Sequence, residues 1–159
     1  MRHAFFSHLA DLAKTDDRIY LLVGDLGFGY MDKFRATVPG QFINCGASEQ
    51  AMVGIAAGLA EAGKIPFVYS ISPFISNRAF EFVKLDVGVP QRNVKFVGVG
   101  YGHDYAFQGA SHYANDDEEL MKMVNILCVV VDKSASANLE EVVKKAVVQT
   151  APLYIILRI

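Results

Sequence analysis

Apolar and polar positions fall into blocks along the chain, and the spacing inside each block separates two kinds of element. Residues 2–15 place Phe5, Phe6, Leu9, Leu12 and Ala13 at helical spacing, which predicts one apolar stripe on an otherwise polar helix. After Thr15-Asp-Asp-Arg18 comes Ile19-Tyr-Leu-Leu-Val23, an apolar run without alternation. Strands of that kind are buried on both faces, as in a parallel sheet covered by helices. The pattern then repeats: a short helix over 30–36 closed by Pro39-Gly40, a strand over 41–44, and a helix over 48–62 stopped by Gly63. A strand follows from Ile65 to Ser70, then a helix over 74–88 and a strand over 93–99. Residues 100–115 are irregular, rich in Gly, His and Tyr, and Asp116-Asp-Glu-Glu119 opens a helix on the side its dipole favours. A strand over 126–131, a helix over 139–150 and a strand over 153–157 complete the series.

This alternation predicts an α/β fold, a mainly parallel sheet covered by helices on both faces, in one domain spanning 1–159. In such a sheet, ligands gather where loops leave the carboxyl ends of the strands. Loops 24–29, 70–78 and 100–115 meet that condition on one edge.

Composition narrows the partners. Net charge is −2 with Lys and Arg scattered, so no basic face is available for nucleic acid. No apolar run reaches the length of a membrane span, and the start has no secretory pattern, so a cytoplasmic protein is expected. Cys45 and Cys128 lie in apolar contexts without paired spacing and read as buried, reduced thiols.

Candidate chemistry concentrates at Phe42-Ile-Asn-Cys-Gly-Ala-Ser-Glu49-Gln50. The apolar run ends at Gly46. A helix opens with Ser48 as N-cap and Glu49 in its first turn, where a carboxylate gains from the dipole. Gly54 and Gly58 then lie one turn apart in a helix where each costs nearly 1 kcal/mol against alanine. Two readings stay open: close packing inside the domain, or a face smooth enough for a second chain.

The stretch Gly46-Ala-Ser-Glu49-Gln50-Ala-Met52-Val-Gly54-Ile-Ala-Ala-Gly58-Leu-Ala60 resembles the pyrimidine-binding domain of the transketolase family. The likeness continues through Pro66-Phe67-Val68, Pro73-Phe74-Ile-Ser-Asn-Arg78-Ala79-Phe80-Glu81, Asn93-Val94-Lys95, Gly109-Ala-Ser-His112 and Ala151-Pro152-Leu-Tyr154-Ile-Ile-Leu-Arg158. An ordered series over about residues 19–159 carries more weight than any one piece.

The resemblance implies thiamine diphosphate bound between two domains, this one holding the aminopyrimidine. It implies that Glu49 hydrogen-bonds the pyrimidine ring nitrogen and favours the imino tautomer, in a dry site where that bond is strong. Phe74 matches the aromatic residue that stacks on the aminopyrimidine. Ile71 and Asn77 stand where transketolases often carry further aromatics, so the pocket differs in detail. Asp25, in Gly24-Asp25-Leu26, matches an Asp near the thiazolium; read alone it is a turn-forming Asp. His112 matches a histidine that contacts the donor's reacting oxygens, and His103, Asp104 and Tyr105 share its loop as further candidates to reach substrate. Gln108 replaces an Asp that reads a sugar hydroxyl, which puts ordinary sugar-phosphate preference in doubt. Arg78 is open between a phosphate and a partner such as Glu81 or Glu119.

The chain lacks a Gly-Asp-Gly followed by Asn at the spacing of a metal–diphosphate site. The resemblance therefore implies a separate diphosphate-binding transketolase subunit that also holds a Mg or Ca ion, in a homodimer or heterotetramer acting on small sugars. The implied reaction is two-carbon ketol transfer. A non-catalytic scaffold, a 2-oxo acid decarboxylase subunit and a deoxyxylulose-phosphate-synthase-like subunit are the alternatives.

Overall fold

Six strands form the centre of the molecule in a computed structural model that describes residues 1–132 and 138–159. They are β1 Ile19–Val23, β2 Phe42–Asn44, β3 Ile65–Ile71, β4 Lys95–Val99, β5 Leu127–Val131 and β6 Leu153–Leu157. Every pairing is parallel, and the order is β2-β1-β3-β4-β6-β5. The helices are α1 Arg2–Ala13, α2 Asp32–Thr37, α3 Glu49–Glu61, α4 over 74–88, α5 Asp117–Met123 and α6 Leu139–Val148. The α/β class and the parallel sheet are those read from the apolar runs.

The absence of alternation in the strands has a direct cause. Leu21, Phe67, Val97 and Ile155 face a core shared with α1 and α6. Their neighbours Leu22, Val68, Phe96 and Tyr154 face a second core shared with α3, α4 and α5. Both sides of each strand are apolar because both faces are covered. Edge-to-face contacts dock α1 on β3: Phe6 meets Tyr69 with ring centroids 4.8 Å apart, and Phe5 meets Phe67 at 6.5 Å. Such pairs contribute about 0.5–1.5 kcal/mol each beyond their burial.

Residues 74–88 differ from the simple helix the sequence predicts. Phe74–Arg78 and Val83–Gly88 are π-helical turns around a short α turn, Phe80–Phe82. The spacing of buried positions supplies the reason. Ile75, Ala79, Val83 and Val87 are buried at every fourth residue. In an α-helix a four-residue step drifts about 40° around the axis, and wider turns cancel that drift. Strand β4 starts at Lys95, two residues later than predicted, and α6 ends at Val148.

Candidate active site

Strand order reverses between β1 and β3. The chain leaves β1 for the edge strand β2 and returns through α3 to β3 on the other side of β1. A crevice at such a reversal is where open α/β sheets bind ligands. Glu49, the first residue of α3, sits there with 1% exposure. Its Oε1 accepts a hydrogen bond from Ser70 Oγ at 3.0 Å, and its Oε2 accepts one from Arg78 Nη1 at 3.0 Å. Gly24, at the end of β1, makes room for this cluster. A Cβ at that position would lie 3.3 Å from both Glu49 Oε1 and Ser70 Oγ. Ser48 occupies the N-cap position without a side-chain capping bond, because its hydroxyl donates instead to the Cys45 carbonyl at 2.6 Å. The expected cap is thus spent on closing the turn before α3.

Arg78 pairs with Glu49 rather than with Glu81 or Glu119. Its guanidinium carbon also lies 4.0 Å from the centroid of the Phe74 ring. Phe74 in turn meets the His112 ring at 4.9 Å, and His112 meets the Tyr105 ring at 6.4 Å. Glu49, Arg78, Phe74, His112 and Tyr105 therefore form one continuous line along the carboxyl edge, built from α3, α4 and the 100–115 loop.

The other sequence-derived candidates divide. Asp25 has a left-handed backbone, φ 55°, and its carboxylate accepts from Asn44 Nδ2 at 2.9 Å. Asn77 is exposed and committed to Asp116 Oδ2, at 2.9 Å, and to the Ser76 hydroxyl, at 2.7 Å. Ile71 ends β3 and packs on the core face that carries α1. Gln108 is exposed at the end of a 3₁₀ turn, Ala106–Gln108. His103 is turned away from the line toward Tyr113, 4.5 Å between centroids, and Asn115, 3.1 Å from Nε2.

The structure also gathers residues the sequence reading missed. Arg2, His3, Tyr30 and Arg158 line a cavity of about 270 Å³ together with Met1 and Ile159. Arg2 donates to Tyr30 Oη at 3.0 Å and to Tyr105 Oη at 3.4 Å, which ties this cavity to the line described above. Arg158 is held by Asp104 Oδ1 at 3.3 Å, while Asp104 Oδ2 accepts the Tyr101 amide at 3.0 Å. Asp104 thus steers an arginine and braces its own loop. The one available signal was Arg2 itself, a cation followed by Phe5 and Phe6 where a helical ion-pair partner would stand.

The α3 glycines do not mark tight internal packing. A Cβ on Gly54 would meet only Phe82, at 4.0 Å, and one on Gly58 would meet nothing within 4 Å. Exposed Ile55, Phe82, Leu85 and Val89 continue the apolar character of this side. Cys45 and Cys128 are free and half-buried rather than fully buried. Among the described residues no group of His, Cys, Asp and Glu side chains is arranged to hold a metal ion, and no helix is long and apolar enough to cross a membrane.

Fold and site together define an open parallel α/β domain with a buried carboxylate at its strand-order reversal. The chain belongs to the transketolase pyrimidine-binding domain family, whose pattern it matches over residues 1–158. It is 34% identical over 156 residues to the 6-deoxy-6-sulfo-D-fructose transketolase subunit SqwH of Clostridium sp. strain MSTE9, covering 98% of this chain and 48% of that protein. It is 34% identical over 155 residues to an apulose-4-phosphate transketolase subunit of Phocaeicola vulgatus, covering 97% of this chain and 49% of that one. The chain therefore spans about half the length of these relatives. Among solved structures, a split-gene transketolase described as an inactive beta4 tetramer superposes with a TM-score of 0.84 at 33% identity, over 99% of this chain and 50% of that one. The transketolase of Campylobacter jejuni shares the fold, with a TM-score of 0.77 at 20% identity over 93% of this chain and 24% of its own.

Proposed function

We propose that this chain is the pyrimidine-binding part of a two-component, thiamine-diphosphate-dependent transketolase. The observation that carries the reading is Glu49, a buried carboxylate at the strand reversal with the half-buried ring of Phe74 beside it. The residues fit the cofactor's aminopyrimidine. Phe74 offers a flat apolar face, Glu49 offers a carboxyl edge already stripped of water, and Gly24 leaves space where a side chain would intrude. Thiamine diphosphate, when bound, supplies the carbon nucleophile for moving a two-carbon ketol unit from a ketose to an aldehyde.

The chain's own residues then have separate tasks. Glu49 holds a proton at the pyrimidine ring nitrogen, and Ser70 fixes the carboxyl plane through its hydrogen bond. His112, beside Phe74, faces the oxygens of the donor sugar. Gln108 reads a hydroxyl as a neutral amide, and Asp25 lies toward the thiazolium. The diphosphate and its divalent ion are held by a partner chain, which approaches the carboxyl edge and the open face of α3. The assembly is at least a heterodimer, and pairing of two such units gives a heterotetramer.

The cavity beside Arg2 and Arg158 extends the reading to the substrate. Two guanidinium groups, with His3 beside them and Arg158 steered by Asp104, suit a terminal anionic group such as phosphate or sulfonate. The two relatives at 34% identity are named for ketoses that carry one or the other. The proposed donor is a ketose with an anionic end, its carbonyl near His112 and its anion between Arg2 and Arg158.

The test is a calorimetric titration with thiamine diphosphate and Mg²⁺. The chain alone is expected to bind weakly, and adding the diphosphate-binding chain restores stoichiometric binding. Tight one-to-one binding by this chain alone would sink the split site.

A further inference from the structure

Arg78 makes two contacts that, taken together, copy those required of the cofactor's ring. Its guanidinium carbon sits 4.0 Å from the Phe74 centroid, so a flat cationic group covers the ring face. Its Nη1 also donates to Glu49 Oε2 at 3.0 Å. A guanidinium is planar, stacks on aromatic rings and presents hydrogen-bond donors at its rim. An aminopyrimidine stacked on Phe74 and bonded to Glu49 would use the ring and the carboxylate that Arg78 now engages. Two flat groups cannot hold that position at once.

We propose that Arg78 is a positioning residue that stands in for the aminopyrimidine, holding Glu49 while the cofactor is away and competing with it for the site. This rests on the assignment of Glu49 and Phe74 made above. Local geometry favours the arrangement. Phe74 and Arg78 are the first and last residues of one π-helical turn, so both side chains leave the same turn and the guanidinium lies over the ring. The Arg78 side chain is 43% exposed while that of Glu49 is 2% exposed. Arg78 therefore reaches in from solvent and withdraws by rotamer change, with no disturbance of the core. Without it the Glu49 carboxylate is left, among the described residues, with one side-chain donor, Ser70, in a buried place. Such a carboxylate needs a second donor, and the stand-in supplies it.

A competitor of this kind predicts opposite signs for one substitution. Arg78→Ala lowers the melting temperature of the cofactor-free enzyme and tightens thiamine diphosphate binding. The experiment measures the Kd for thiamine diphosphate with Mg²⁺ in the assembled two-chain enzyme, for wild type, Arg78→Ala and Arg78→Lys. The expected result is a Kd about tenfold lower in Arg78→Ala. Arg78→Lys, which keeps the charge and lacks the plane, falls between. An unchanged or higher Kd in both variants overturns the proposal. Glu49→Gln and Phe74→Ala, measured alongside, separate this outcome from failure of the site itself. If either weakens binding, the site stands and the Arg78 variants decide. If neither does, the aminopyrimidine is held elsewhere and both readings fall.

Discussion

Of the buried carboxyl and amino side chains Glu49, Lys95 and Asp117, the first two lie at opposite ends of the strands and are held in opposite ways. Lys95, the first residue of β4 on the amino edge, is fully buried, and its Nζ donates to the backbone carbonyls of Gln149, at 2.7 Å, and Ala151, at 2.6 Å. Those carbonyls belong to the end of α6 and the turn into β6, so neither can withdraw unless the domain opens. Among the described residues, Glu49, on the carboxyl edge, is held by the side chains of Ser70 and Arg78. Ser70 is fixed in β3, but the half-exposed Arg78 side chain can leave by rotamer change and be exchanged for a ligand. Burial with backbone partners makes a structural joint, whereas burial with side-chain partners makes a site that can accept something else.

The widest separation between the two ends is expected from Glu49→Gln. In the assembled enzyme it lowers turnover by at least about 10²-fold, with little change in the urea midpoint of the cofactor-free chain. Normal turnover in that variant would break the comparison at its functional end.

Lys95 provides the next test, through pH. Burial pulls its pKa from 10.5 down to about 8, so below pH 8 both folded and unfolded chains carry the proton and the folded state bears the cost of the buried charge. Between about 8 and 10.5 the unfolded chain keeps a proton that the folded one has released. Stability therefore rises with pH across that window, by roughly 3 kcal/mol at about 1.4 kcal/mol per pH unit. Buried tyrosines act the other way at higher pH, since burial pushes Tyr69 up to about 12. The measurement is thus the difference between wild type and Lys95→Met in urea unfolding at pH 7.5 and 10. A flat difference refutes the desolvated lysine, and lost turnover in Lys95→Met would refute its purely structural place.

Arg158→Ala is expected to raise KM for a phosphorylated or sulfonated ketose about tenfold while kcat holds, the cost of one charge-assisted hydrogen bond. An equal effect on a ketose without an anionic end removes the arginine from substrate binding. The smallest effect is assigned to Phe74→Leu, which spares the hydrogen bonds of Glu49 and removes the flat ring. The Kd for thiamine diphosphate should rise about fivefold, in line with a stacking contribution near 1 kcal/mol. An unchanged Kd would mean that the ring packs only against Arg78 and His112.

The fold was the more legible part. Uninterrupted runs such as Ile19–Val23 and Leu153–Leu157 state in the sequence that both faces are covered, and Gly63 marks a helix end where its φ of 78° is observed. The four-residue spacing of Ile75, Ala79, Val83 and Val87 was equally present in the sequence, yet it reads as an ordinary amphipathic helix until hydrogen bonds are traced. Glu49, Phe74 and His112 could be singled out beforehand because they lie within family-like stretches. Arg2 and Ser70 could not, since each gains its meaning from a residue far along the chain. Asn77 and His103 show the converse: polar side chains in the right loops whose bonds are spent on Asp116 and Asn115 outside the line around Glu49.

The sequence by itself determined the element order, the two-sided burial of the strands and the edge at which polar loops collect. These follow from local periodicity and from the solvation of apolar surface, both readable one segment at a time. Only the tertiary structure decided which polar groups meet. The reversal of strand order brings Ser70 of β3 and Arg78 of α4 to the carboxylate of Glu49, 21 and 29 residues away, and lays α1 beside the end of β6 so that Arg2 and Arg158 share a cavity. Contacts at that separation depend on how strands are ordered in the sheet, a cooperative outcome of packing that no single stretch encodes.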